Sequence, residues 1–170
     1  MKSVIVLAMH GIPPNDFPQQ EAAELFGLHA HLEHARGPER PTLERRYAEL
    51  EARVRAWPRT AQNDPFHAGS HELAGHLGQA LGCPVIVGFN EFCGPSLDEA
   101  LDQAAALSPE RMVVVTPMVT RGGEHSEADI PSAIQRAQNR HPRVPIHYAW
   151  PFAPAEVAEF LATQIRRWLE

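Results

Sequence analysis

At 170 residues the chain has the size of one domain with a full hydrophobic core, which argues against two. A net charge of −6 leaves no basic face for sequence-independent nucleic-acid binding, and no apolar run reaches the ~20 residues that span a bilayer. Two cysteines, Cys83 and Cys93, are too few for a disulfide framework; they read as buried thiols of a reduced, cytoplasmic protein.

The first predicted element is a strand over Ser3–Met9, rich in Val and Ile and followed by His10-Gly11. No small-residue cleavage site follows it, so this start reads as a buried strand and not a signal peptide. More than 70 residues then separate His10 from the next strand, far more than one crossover needs. Residues 12 to about 63 read as a helical insertion rooted at the edge where the first strand ends. Within it Leu43, Tyr47, Leu50, Val54 and Trp57 step by 4, 3, 4 and 3, giving one apolar stripe that Pro58 closes. Such a stripe must pack on something, and the expectation is that it covers the site mouth or a dimer contact. Arg36-Gly37-Pro38-Glu39-Arg40-Pro41 is the most loop-like part of the insertion.

A helix over about Pro65 to Leu81 is the crossover onto a strand at Pro84–Phe89. Ser96-x-x-Glu99 is a capping box that opens a helix over Leu97–Leu107, ended by Ser108-Pro109. A third strand, Met112–Pro117, leads through Gly122-Gly123 to His125. Asp129 is suited to cap the next helix, with Pro131 in its first turn and Ile130, Ile134 and Ala137 on one face, until His141-Pro142 stops it. A fourth strand follows at Val144–Ala149. The last helix starts near Pro154 and is expected to bury Val157, Phe160, Leu161, Ile165 and Trp168. Strands alternating with helices give an α/β fold: a parallel four-stranded sheet with helices on both faces, in one domain over residues 1–170.

Most of the ten histidines have ordinary surface readings. His29, His31 and His34 cannot all face one ion, because helix positions i and i+2 point about 200° apart. Of His67, His71 and His76 only the first two share a helical face, and neither cluster is read as a metal site. His10 and His125 differ, since each lies past a strand end beside glycine, at the edge where open parallel sheets bind ligands. Glu91 lies just past a third strand. Two imidazoles and a carboxylate suit a divalent first-row metal with open positions, and also suit proton abstraction.

Met9-His10-Gly11, Phe89-Asn90-Glu91 with Pro95-Ser96-Leu97, and Thr116-Pro117 through Gly123-x-His125 to Asp129-Ile130-Pro131 resemble the small class II chelatases. These are the sirohydrochlorin cobalt- or ferrochelatases of cobalamin and sirohaem biosynthesis. The likeness covers His10-Gly11 and about residues 84–168. It implies a chelatase-like, flavodoxin-like three-layer sandwich and ATP-independent insertion of Co²⁺ or Fe²⁺, with Ni²⁺ as a further candidate, into a tetrapyrrole. It also implies no tightly bound cofactor, with the divalent ion as substrate. His10 and His125 would hold the metal and accept pyrrole protons, and Glu91 would neutralise charge or relay a proton. Gly11, Arg121, Gly122 and Gly123 are the expected tetrapyrrole-binding positions, with Arg121 able to pair with a substrate carboxylate. No phosphate-binding glycine loop is present, in keeping with a nucleotide-free reaction. Larger chelatases have two lobes and this chain supplies one, which implies a homodimer. Ile12, Thr120 and Glu124 depart from the family pattern. Ile12 and Glu124 motivate a second reading, a metal or tetrapyrrole carrier without turnover.

Overall fold

The structure is a computed structural model that describes residues 2–169, with Glu33 described by its backbone alone. In chain order the elements are β1 (Ser3–Met9), α1 (Gln19–His34), α2 (Arg40–Arg55), α3 (Pro65–Leu81), β2 (Val85–Phe89) and α4 (Leu97–Ala106). They continue with β3 (Arg111–Val115), a π-helical turn (His125–Asp129), α5 (Ile130–Arg140), β4 (Ile146–Tyr148) and α6 (Pro154–Arg166). All strand pairs are parallel, in the order β2-β1-β3-β4, with Met9 beside Phe89 and Leu7 beside Val115. The first crossover runs to one side of β1 and the later ones to the other. Right-handed connections therefore place α3 on one face and α4 and α5 on the opposite face.

Alternation along β1 feeds both faces. Val4, Val6 and Ala8 meet Leu97, Ala100, Leu101 and Ala104 of α4 and Ile130, Ala133 and Ala137 of α5. Leu7 and Met9 point the other way, into a smaller cluster with Val87, Phe89, Cys93 and Ala74 of α3. Cys93 is buried as expected, whereas Cys83 is only half-buried. Gly88 permits the close approach of α4: a Cβ there would lie 2.6 Å from Cβ of Ala100. The capping box forms as read, with Ser96 and Glu99 each accepting from the other's backbone N–H.

Residues 12–63 contain two helices that form their own small core. Leu50 and Val54 of α2 pack with Leu25 of α1, with Phe17, and with Phe92 from the loop after β2. The α2 stripe is therefore covered within the chain itself. Arg46 also binds Glu24 through two hydrogen bonds of 2.6 and 2.8 Å. At the root of the insertion Arg59 and Asp64 form an ion pair with side chains only 6% and 0% exposed. Arg59 donates as well to the carbonyls of Ile12, Val54 and Phe92.

Two expectations fail. Helix α6 buries none of its residues: Phe160, Leu161 and Ile165 are 71%, 50% and 54% exposed, and Trp168 just past its end is 83% exposed. The periodicity is right, but the element before α6 is a three-residue edge strand, too short to carry the helix across the sheet. Asp129 is no cap either. It lies in the αR region at the end of the π-helical turn and makes no capping bond. Among the described residues, no helix is long and apolar enough to cross a membrane.

Candidate metal centre

With the strand order 2-1-3-4, the connections leave β1 and β3 in opposite directions, and a crevice opens above their carboxyl ends. His10 follows β1 there, Glu91 follows β2, and His125 reaches the same edge on the turn beyond β3. Gly11 locks two of these strand ends together, since a Cβ on it would come 1.7 Å from the Glu91 carbonyl oxygen. No other residue tolerates that approach. The same carbonyl accepts from the Cys93 N–H at 2.6 Å, closing a tight turn in which Phe92 has a positive φ of 55°. A bulky residue avoids that conformation unless the surroundings impose it. Here the buried Phe92 ring, edge-on to Phe26 at 5.3 Å and packed on Leu50 and Val54, supplies the constraint.

Glu91 Oε1 lies 2.8 Å from His10 Nδ1 and 3.4 Å from His125 Nε2. The imidazole ring centroids are 4.8 Å apart. One donor atom from each of the three residues falls within a 4.8 Å set, the arrangement a shared cation requires. Ligand atoms ~2.1 Å from one ion lie roughly 3.0–3.4 Å apart when the angle at the metal runs from octahedral to tetrahedral. The His125–Glu91 gap falls in that range. On its other nitrogen, His125 Nδ1 bonds Asp129 Oδ2 at 2.6 Å. A carboxylate only accepts, so Nδ1 carries the proton and Nε2 turns its lone pair to the crevice. The sequence reading missed this role of Asp129. The signal was the His125-x-x-x-Asp129 spacing, which puts both on one face of a helical turn.

The site exposes its histidines and shelters its acid, with side-chain exposures of 45% for His10, 26% for His125 and 11% for Glu91. The hydrogen bond to Glu91 raises the His10 pKa above the ordinary 6.5, against the opposing effect of burial. Burial acts to raise the Glu91 pKa, yet the His10 hydrogen bond and the nearby imidazoles bring it below the ordinary 4.5. Glu91 therefore stays a carboxylate, the form that binds a cation.

The remaining predicted positions lie on the same loops. Gly122 has a φ of +89°, and its N–H donates to Glu127 Oε1 at 2.7 Å, which fixes the turn ahead of His125. Gly123 gives its carbonyl to Ser126 Oγ at 3.0 Å. The exposed Arg121 lies over the Trp150 ring, 5.7 Å from its centroid. Beside it a cavity of about 300 Å³ is lined by Thr120, Phe152, Val157 and Leu161.

Comparison with known proteins follows the same lines. The CbiX family model matches residues 62–167, more than half of the chain. A sirohydrochlorin cobaltochelatase of Methanothermobacter thermautotrophicus is 42% identical over 48 residues, 28% of this chain and 33% of that protein. The matched stretch thus spans about a third of that relative's length. Among solved structures, a CbiX protein of Marinobacter aquaeolei VT8 superposes with a TM-score of 0.55 at 18% identity, covering 98% of this chain and 97% of that one. The sirohydrochlorin chelatase SirB of Bacillus subtilis subspecies spizizenii, solved with cobalt, gives a TM-score of 0.44 at 20% identity, over 89% of this chain and 44% of its own.

Proposed function

The chain belongs to the CbiX family, and we propose that it inserts a divalent metal, cobalt or iron, into a tetrapyrrole such as sirohydrochlorin without ATP. One observation carries this reading: three side chains that could hold a metal ion, His10, Glu91 and His125, bring donor atoms within 4.8 Å of one another at the ligand edge of the sheet. The curated relative's activity as a sirohydrochlorin cobaltochelatase supports the choice of macrocycle.

Insertion exchanges one M²⁺ for two N–H protons, so charge balances, and two bases beside the ring give the protons somewhere to go. As macrocycle nitrogens replace His10 and His125 on the ion, each imidazole regains a lone pair and takes one pyrrole proton. Neutral imidazole serves as both ligand and base near neutral pH. Glu91, 2.8 Å from His10 and 3.4 Å from His125, offsets the positive charge that builds there. Asp129 holds His125 in the one tautomer that can do this. In this reading Gly11 holds the ends of β1 and β2 together, Gly122 and Gly123 shape the turn ahead of His125, and Arg121 pairs with a carboxylate at the macrocycle rim.

The reading places the enzyme in the cytoplasm as a homodimer. The uncovered α6 face supports the second copy, because it adjoins the cavity beside Arg121 and would place a partner wall next to the crevice. Incubating the purified chain with sirohydrochlorin and Co²⁺ or Fe²⁺ tests the reaction through the absorbance change of metallation. A rate above the spontaneous one with either ion supports it. Macrocycle binding with no added rate would leave a carrier and overturn the enzyme.

A further inference from the structure

We propose that His67 and His71 form a second divalent-metal site, made of two imidazoles on one face of α3. Their Nε2 atoms face each other at 3.3 Å, with ring centroids 4.5 Å apart. As at the first site, a separation of ~3.0–3.4 Å is the span between two cis ligand atoms of one ion at ~2.1 Å. A spacing of four on a helix is the arrangement in which two histidines share an ion.

The pair is held as well as aligned. Asp64, the cap of α3, accepts from the His67 backbone N–H at 2.8 Å and so fixes the first turn of the helix. The His67 ring lies flat against Phe89, 5.3 Å between centroids and 15° between planes, and Phe89 is fully buried. His71 reaches out from the next turn and is exposed, so an ion can arrive from solvent. Among the described residues no acidic donor joins the pair: Asp64 is committed to Arg59 and to the helix cap. With two nitrogens and open positions, the site suits first-row ions that favour imidazole, such as Ni²⁺, Co²⁺ or Zn²⁺. A ligand pair this small binds reversibly.

Its position gives it a use. Phe89 is the last residue of β2 and pairs with Met9, the residue before His10. An ion on His67 and His71 therefore waits at the same sheet edge as the first site, outside the crevice that the macrocycle enters. The site concerns ion capture and goes beyond the proposed turnover, so each can fail without the other.

Calorimetric titration of the full chain with Ni²⁺ tests it by counting ions. The parent should take up two ions, His67→Gln/His71→Gln one, and His10→Ala/His125→Ala one, the weaker. Because His67 packs on Phe89, the exposed His71→Gln alone serves as the variant that keeps the fold; it should weaken the second ion at least tenfold. An unchanged ion count and affinity in His71→Gln would overturn the site and leave the two rings sharing only an N–H···N hydrogen bond.

Discussion

Helices α2 and α6 carry apolar stripes of the same period, yet one is covered and the other is not. Leu50 and Val54 of α2 are 2% and 0% exposed against α1 and Phe92, whereas Phe160 and Ile165 of α6 are 71% and 54% exposed. The difference is what lies opposite. The α2 stripe meets a neighbouring helix and an aromatic side chain from the site loop. The α6 stripe follows a strand of three residues, and none of the residues of α6 is buried. Periodicity shows that a face is apolar, and only the fold shows what covers it. The covered stripe also has a consequence for the site, because it packs on Phe92, next to Glu91.

The sharpest way to break this contrast is at the root of the insertion. Arg59→Ala leaves Asp64 buried without its partner and removes donors from the carbonyls of Ile12, Val54 and Phe92. It should cost about 3–5 kcal/mol in denaturant unfolding. A loss below about 1 kcal/mol would mean that the insertion is not anchored there. Leu50→Ala should cost ~2–5 kcal/mol, while Ile165→Ser on α6 should change the stability of the monomer by no more than about 0.5 kcal/mol. Equal losses at the two positions would erase the distinction between the helices. Ile165→Ser should instead act on assembly, moving the sedimentation coefficient from dimer to monomer. A parent that sediments as a monomer at every concentration would exclude the proposed partner on that face.

The smallest effect belongs to the well-covered face. Asp98 and Asp102 of α4 pair with Arg136 and Arg140 of α5 at 2.5 to 3.0 Å, and Asp102 also meets His141 at 2.7 Å. Burial acts to raise both carboxyls, but the hydrogen bonds from Arg136, Arg140 and His141 bring them below the ordinary 3.8. A depressed carboxyl stabilises the fold above its unfolded pKa and loses that stabilisation as pH falls through its folded pKa. The parent should therefore lose more stability than Asp98→Asn on acidification below pH about 4. These side chains are partly exposed, so the difference is small and should shrink further in salt.

Sequence reading succeeded where one residue type has one physical use. Pro65 opens α3, and Gly82, left-handed at a φ of +63°, closes it, so both ends of that helix were legible. Reciprocal bonding made the Ser96–Glu99 box unambiguous. His10, Glu91 and His125 were legible as strand-end residues, and the parallel sheet then brings them to one edge. Asp129 was misread because the same side chain that caps a helix also reaches a histidine four residues back, and only the π-helical turn decides between the two. Helix α1 went unread, although Ala22, Leu25, Leu28 and Leu32 step by 3, 3 and 4; of its described side chains only Leu25 is fully buried, so the stripe is weak. Gly11 was read as a ligand contact. Its tight packing on the Glu91 carbonyl depends on a loop 80 residues away, which no local pattern reveals.

The central claim is that His10 and His125 share one ion and both take part in its transfer. The direct measurement is the initial rate of metal insertion into sirohydrochlorin by the parent and by the His10→Ala and His125→Ala variants, each with the parent's far-UV spectrum. The account predicts that either substitution lowers the rate by two orders of magnitude or more and removes the tighter of the two bound ions. Insertion at the parent rate by both variants would contradict it.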